Sequence, residues 1–427
     1  MVSQRNVRAW QPAPRLNSRP EPTPVSRRHK PDYWLVILCV ILLTIGLVVV
    51  YAISPALSES AHVSGNYYVF KQLIAIGLSL VAFLATSQIP LDTWRRIYKP
   101  LLVVAGLATL VALVMPVNPN YPAHRWVRLG SFSFQSVELL KFAVLIWLAG
   151  FLSHQIRRGT IGDSSQTLKP LAIAVLAVGF VVAGIQSDLG STGVMVVMMA
   201  AMAFVAGLPL KKIGTIAGII IIGSLLAVSV TPYRRERLAT YFHPEANCQN
   251  SGYQACQALI AVGSGGMFGL GLGRSVQAYG YLPEAANDSI FAIYAEKFGF
   301  IGAVILIGIF MALFSRIKSI AERAADSFHV LIAVGVLAWL CVQTLINIGA
   351  MIGLLPLKGI TLPFISYGGT SVVFVAAAVG LVFQISYYTS FVGRKKVDNS
   401  SRRQPNDNSP DRRRVRGAYH PDSGSRA

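Results

Sequence analysis

About ten stretches of this chain are long and apolar enough to cross a lipid bilayer, and they restrict the fold more than any other feature. A membrane-spanning helix needs roughly 20 largely apolar residues. Hydrophobic residues make up 53% of the chain and charged residues only 13%, against roughly 25% charged in soluble domains. The sequence therefore predicts an all-α, polytopic membrane protein. The predicted spans are residues 34–53, 70–89, 100–115, 137–151, 170–184, 192–206, 213–230, 290–314, 330–352 and 371–391.

Positive charge recurs at every second turn between these spans, which predicts their orientation. Cytoplasmic loops of membrane proteins carry an excess of Lys and Arg. With both termini cytoplasmic, each inner turn holds two or three such residues, for example Arg95 and Arg96, or Lys211 and Lys212. The net charge of +20 also reflects two basic tails, 1–33 and 392–427, which we predict to be disordered and cytoplasmic. Orientation explains these tails, so no nucleic-acid partner is predicted.

The membrane domain, 34–391, has one outer loop that is much longer than the others. This fourth extracytoplasmic loop covers residues 231–289, and long loops in compact proteins usually carry function. It contains a short apolar piece, 255–262, followed by the run GSGGMFGLGLGRS. The run lacks the Lys-Ser/Thr of a nucleotide-binding P-loop and any surrounding strand–helix pattern, so no nucleotide site is predicted.

Two carboxylates, Glu284 and Asp288, stand at the end of that loop, just before the eighth span. Asn287 or Asp288 could cap the helix by accepting from its free N–H groups. Alternatively, Asp288 could be a catalytic base at the membrane edge, where partial desolvation raises a carboxylate pKa. Local sequence alone leaves both interpretations open.

Several cations lie on the outer side, against the general charge pattern. Lipid headgroups or local acids would account for most of them, but some could bind a phosphorylated ligand. A base beside cations is what group transfer with a pyrophosphate leaving group requires. These outer cations are Arg125, Arg128, Arg234, Arg235, Arg237, Arg274 and Lys358.

Other polar residues near the spans have a structural and a functional interpretation. Glu138 and Lys141 are three residues apart at the start of the fourth span, a spacing that allows pairing on one helix face. We expect a structural pair for Lys141, whereas Glu138 fits either role. Asp188 could cap the sixth span or face a cavity, and we expect a structural role. Trp126 could anchor the chain at the interface or stack on a sugar ring.

The four cysteines do not suggest a metal site, because they form neither a CxxC motif nor a Cys/His cluster. Cys248 and Cys256 share the fourth outer loop, where an oxidising exterior would allow a disulfide. The sequence leaves bridge and free thiols both open. No cofactor is predicted, and a divalent cation is neither indicated nor excluded.

Four separated motifs together resemble the FtsW/RodA family, also called SEDS. They are HRWVRLGSFSFQSVELLKF (124–142), YRRERLATYFHPEANCQNSGYQACQALIAVGSGGMFGLGLGRSVQ (233–277), YLPEAANDSIFAIYAEKFGFIG (281–302) and LLPLKGITLPFISYGGTS (354–371). The resemblance covers all the spans and excludes only the tails.

The resemblance implies a peptidoglycan glycosyltransferase that polymerises lipid II at the outer face of the cytoplasmic membrane. Asp288 would be the catalytic carboxylate that activates the acceptor hydroxyl, with polyprenyl pyrophosphate as the leaving group. Expected partners are a class B penicillin-binding protein, other division proteins and membrane lipids, at the division septum. The residues expected to bind substrate are Trp126, Glu138, Arg237, Gln277, Glu284 and Lys358.

Lys358 and the run TLPFISYGG resemble the division branch of the family more than the elongation branch, RodA.

The chain departs from the family pattern near the expected site, which leaves the local charge and substrate contacts open. A flippase for a lipid-linked precursor and a non-catalytic scaffold acting through its tails are the alternative functions. The departures are Ser133, Ser136, Ala278, Ala286 and Ser289.

Overall fold

Helices dominate the backbone of the computed structural model, which describes residues 30–115, 126–129, 132–215, 217–218, 241, 248–249 and 252–388. Within those residues, eight helical segments are long and apolar enough to cross a membrane. The α-helices whose bounds lie within the described residues are α1 (Tyr33–Ser60), α2 (Tyr67–Gln88), α3 (Leu91–Val114), α4 (Ser136–Arg158), α5 (Lys169–Val178), α6 (Leu189–Val205), α7 (Tyr253–Ser264), α8 (Ile290–Arg323), α9 (Ser327–Met351) and α10 (Gly369–Ser386).

The predicted all-α membrane architecture is confirmed, with differences in detail. The sixth predicted span corresponds to α6, an apolar helix shorter than the eight. The seventh, 213–230, falls largely outside the described residues, as do the two tails. Two π-helical segments, Ser164–Leu168 and Gly179–Ile185, flank α5 and complete the fifth span. The orientation of the chain stays a prediction.

One short hairpin was not predicted. Strands β1 (Trp126–Leu129) and β2 (Phe132–Gln135) pair antiparallel, with Trp126 opposite Gln135. The hairpin leads directly into α4, and the Gln135 backbone N–H donates to Thr370 Oγ1 at the start of α10 over 3.4 Å. Strand β2 is therefore attached to the helix bundle.

Helices α4 and α10 form the centre of the bundle. Within the 18-residue apolar stretch of each helix, 83% of the residues are buried in α4 and 78% in α10, against 17% in α3. Helix α10 packs on α2, α4 packs on α3, and α9 packs on α6 and α8. The peripheral helices expose rows of Leu, Val and Ile, as lipid-facing surfaces do.

Helix α8 is interrupted at Gly299, whose φ of 66° and ψ of −167° are not helical. The glycine-rich run lies against this break and bonds to the freed backbone groups. Leu270 N–H donates to the Glu296 carbonyl at 2.9 Å and Gly271 N–H to the Lys297 carbonyl at 3.0 Å. In return, Phe300 N–H donates to the Gly266 carbonyl at 2.9 Å. Unpaired backbone groups are costly inside a bilayer, so the run supports a broken membrane helix.

Candidate active site

Asp288 lies at the outer-loop end of α8, in a cavity between α8, α9 and the segment that precedes α10. The cavity is small and partly open, with about 10 Å³ of space accessible to a water molecule, and it is lined by Asp288, Ile346, Asn347, Ala350, Met351, Lys358, Gly359 and Ile360. Asp288 and Lys358 are both half-buried. The fold thus brings the predicted base and one of the predicted cations to a single cavity.

Neither Asn287 nor Asp288 is the N-cap residue of α8, so the predicted position of the helix cap is wrong. Ser289 is the N-cap residue of α8, and its side chain makes no cap hydrogen bond. Asn287 instead donates its side-chain amide to the Glu284 carboxylate. The Asp288 carboxylate accepts from Gln254 Nε2 of α7, at 3.4 Å from Oδ1. The same nitrogen lies 3.1 Å from Ser289 Oγ, so this departure from the family pattern gains a partner.

Three hydrogen bonds hold the backbone of residues 286–288, two from the 352–368 segment and one from α9. Ser366 Oγ donates to the Asn287 carbonyl at 2.7 Å. Tyr367 N–H donates to the Ala286 carbonyl at 2.8 Å. Asn347 Nδ2 donates to the Asp288 carbonyl, also at 2.7 Å. Because these bonds join segments distant in sequence, they determine where the carboxylate stands.

A small group of tyrosines lies beside these connections. The Tyr68 and Tyr367 rings meet edge to face, with centroids 5.3 Å apart. Burial, followed by the neighbouring Tyr67 and Tyr68, raises the pKa of Tyr367 to about 12. Its hydroxyl therefore stays protonated at neutral pH and can donate a hydrogen bond.

The other predicted substrate-binding residues are more widely spread. Trp126 is exposed on β1, and Glu284 is exposed in a turn where its φ is 52°. Glu138 and Gln277 are buried and do not line the cavity. Arg237 lies outside the described residues, as do Arg125, Arg234 and Arg235, whereas Arg128 and Arg274 are exposed.

The pairing of Glu138 with Lys141 is confirmed. Their charged atoms are 2.8 Å apart, and both side chains are buried in α4. Lys141 also lies 3.3 Å from Gln343 Oε1, and its ammonium group is 5.1 Å from the centre of the Trp339 ring. Gln343 in turn donates to the Thr361 carbonyl at 2.9 Å. The ion pair therefore supports the segment that carries Lys358.

Two further sequence hypotheses have an outcome. Asp188 caps α6, since its carboxylate accepts from the Ser191 N–H at 2.9 Å. Cys248 and Cys256 are joined by a disulfide, with Cα atoms 5.6 Å apart. Among the residues that the structure describes, no group of three or more His, Cys, Asp or Glu could hold a metal ion.

Several residues that build this region were not predicted from the sequence. Glu296 accepts from the N–H groups of Val276 and Gln277, at 2.9 and 3.2 Å, and from the Ser275 hydroxyl. Asn347 and Gln343 are the others, and both are polar residues within a predicted apolar span. Polar side chains inside membrane spans are commonly functional, so their presence there was an available signal.

A helical bundle of membrane-spanning segments, with a carboxylate and a lysine in one cavity at the bundle end, defines a polytopic membrane protein with a candidate acid–base site. The family model described as "Cell cycle protein", FTSW_RODA_SPOVE, matches residues 33–391. The chain therefore belongs to the FtsW/RodA/SpoVE family.

Individual relatives agree with this assignment. The probable peptidoglycan glycosyltransferase FtsW of Coxiella burnetii is 36% identical over 364 residues, covering 84% of this chain and 96% of that protein. Stage V sporulation protein E of Bacillus subtilis is 35% identical over 367 residues, covering 86% and 100%.

Solved structures share the fold. One is a chain in a study of the structural coordination of polymerization and crosslinking by a peptidoglycan synthase complex. Its TM-score is 0.67, its identity 24%, and the match covers 83% of this chain and 97% of that one. Another is the rod shape determining protein RodA of Thermus thermophilus, with a TM-score of 0.61 and 24% identity, covering 83% and 96%.

Proposed function

We propose that this protein is a peptidoglycan glycosyltransferase that polymerises lipid II at the outer face of the cytoplasmic membrane. The observation that carries the proposal is the position of Asp288 and Lys358 in one cavity at the outer-loop end of the bundle. The names of the FtsW relatives support the same reaction.

In this reaction Asp288 acts as the general base. Its carboxylate takes the proton from a hydroxyl of the acceptor sugar, and that oxygen attacks the anomeric carbon of the donor. The new glycosidic C–O bond forms while the bond from the anomeric carbon to the pyrophosphate oxygen breaks. Polyprenyl pyrophosphate leaves with the bonding electron pair, and the Lys358 ammonium group stabilises its negative charge.

The remaining predicted site residues that the structure describes divide into two groups by exposure. Trp126 and Glu284 are exposed, and we assign them, with Arg237, to contacts with the bound substrate. Glu138 and Gln277 are buried, and we assign them to support of the site.

The proposed setting is septal wall synthesis during cell division, in the inner membrane. The names of the FtsW relatives support division over elongation. The synthase complex with the same fold supports a partner that crosslinks strands, and we propose a class B penicillin-binding protein for that role. A flippase for lipid-linked precursors is the alternative; it needs no carboxylate chemistry.

The test is polymerisation of lipid II by the purified protein with its transpeptidase partner. Wild type is compared with Asp288→Asn, which keeps the side-chain shape but cannot accept the proton. Asp92→Asn is the matched control, because that carboxylate is 79% exposed in α3, away from the cavity. We expect glycan chains from wild type and Asp92→Asn only.

Polymer from Asp288→Asn at the wild-type rate would remove Asp288 as the base. Absence of polymer from all variants, beside a working control polymerase, would contradict the enzyme. Movement of labelled lipid II across liposomes by both wild type and Asp288→Asn would then favour the flippase.

A further inference from the structure

One side chain joins the two segments that carry Asp288 and Lys358. Asn347 Nδ2 donates to the backbone carbonyl of Asp288 and to that of Ile360, both at 2.7 Å. An amide nitrogen has two hydrogens, so both donors of Asn347 are used. Because both partners are carbonyl oxygens, which only accept, the orientation of the amide is determined by its neighbours.

The amide oxygen of Asn347, in contrast to the amide nitrogen, has no hydrogen-bond partner among the described residues. This Oδ1 atom is buried, and Asn347 lines the cavity with Asp288 and Lys358. Asn347 is only 2% exposed. A buried acceptor without a partner calls for an explanation such as a water, an ion or a catalytic role, and this one belongs to a residue that borders the cavity of Asp288 and Lys358, where a bound ligand could supply the missing donor.

We propose that Asn347 is a positioning and substrate-recognition residue of this site. Its amide nitrogen holds the carboxylate segment against the lysine segment. Its Oδ1 accepts a hydrogen bond from a hydroxyl or amide N–H of a bound sugar. This inference rests on the proposed function, since it takes lipid II as the ligand.

The two halves of the amide have separable consequences, which two substitutions distinguish. Asn347→Asp keeps an acceptor oxygen but removes the donor, so two backbone carbonyls face an anion. Asn347→Leu keeps a similar volume and removes both functions. Thr344→Val is the matched control, because Thr344 is buried one turn earlier on α9, its Oγ1 has no partner among the described residues, and it does not line the cavity.

The first measurement is the rate of lipid II polymerisation against lipid II concentration, with thermal unfolding of each variant. For Asn347→Asp we expect kcat to fall about tenfold or more, as small misplacements of a catalytic group do, with KM almost unchanged. For Asn347→Leu we expect the same loss of kcat and a KM about fivefold higher, the effect of losing one neutral hydrogen bond. Thr344→Val should keep both parameters.

The second measurement separates this inference from the proposed function. Lipid II affinity is measured by thermophoresis in the Asp288→Asn background, which needs no turnover. We expect Asn347→Leu to raise Kd about fivefold and Asn347→Asp to leave it unchanged.

The outcomes then divide clearly. If wild type does not polymerise but binding depends on Asn347 in this way, the recognition role stands without the enzyme. If wild type polymerises and the Asn347 variants match it in kcat and KM, the inference is wrong while the enzyme stands. Equal loss of kcat in both variants with unchanged KM, or unfolding of both, overturns it in favour of a purely structural residue.

Discussion

The Lys141 ammonium nitrogen lies 2.8 Å from the Glu138 carboxylate, and both side chains are buried inside the helix bundle. Removing one partner of a buried ion pair leaves an uncompensated charge, which typically costs about 3–5 kcal/mol. We therefore expect Lys141→Met to lower the thermal unfolding temperature strongly in detergent. Replacing both partners, as Glu138→Gln with Lys141→Met, should recover most of that loss.

The control for this prediction is Lys318→Met in α8. Lys318 lies 3.8 Å from Glu322, but both side chains are more than half exposed, and exposed pairs contribute about 0–1 kcal/mol. If Lys141→Met and Lys318→Met unfold at the same temperature, the buried pair has no special role in stability.

Gly299 is expected to tolerate no side chain. Its φ of 66° and ψ of −167° belong to a region of backbone conformation that is essentially restricted to glycine, at a cost of about 1–3 kcal/mol for other residues. An added Cβ would also lie 2.4 Å from the Gly269 backbone nitrogen. We expect Gly299→Ala to destabilise α8 and to reduce the yield of folded protein.

Gly308 in the same helix provides the comparison. A Cβ there meets nothing within 4 Å, and Ala is favoured over Gly inside a helix by about 1 kcal/mol. Gly308→Ala should therefore unfold at the wild-type temperature or slightly above it. Equal unfolding temperatures for the two alanine variants would contradict the interruption of α8 at Gly299.

The Glu296 carboxylate is expected to hold the backbone of residues 275–277. Hydrogen bonds to a charged group contribute about 1.5–3 kcal/mol each. We expect Glu296→Gln to increase hydrogen exchange at the Val276 and Gln277 amides by about tenfold or more, with exchange in α9 unchanged. Protection equal to wild type at these two amides would mean that the carboxylate does not hold the loop.

The disulfide between Cys248 and Cys256 is expected to govern thiol labelling. Cys39 is buried and Cys341 is partly buried, both within helices. Because Cys248 and Cys256 are joined in the disulfide, a maleimide applied to the folded protein should modify them only after mild reduction. Peptide mass spectrometry identifies the labelled residues. Labelling of either residue without reductant would contradict the bridge.

Replacing both bridge cysteines by Ser should destabilise the loop. Closing a loop of this size stabilises the fold by about 2–3 kcal/mol in the chain-entropy account. Because this loop holds Gln254 beside Asp288, we expect the double variant to lose polymerisation at a lower temperature than wild type. Identical temperature profiles would show that the bridge does not stabilise the site.

The amino-acid sequence by itself determined the class of protein, an all-α polytopic membrane protein. Hydropathy is a sum over about 20 neighbouring residues, so the spans could be predicted without knowing how they pack. The place of Asp288 just before a membrane helix follows in the same way, as does the pairing of Glu138 with Lys141, three residues apart on one helix.

Only the tertiary structure decided how the site is assembled. Asn347 contacts Asp288 across 59 residues of chain, and the glycine-rich run fills the break at Gly299. Such contacts depend on which helices pack together and in which register. That information lies in the summed packing of the whole bundle and in no local window of residues.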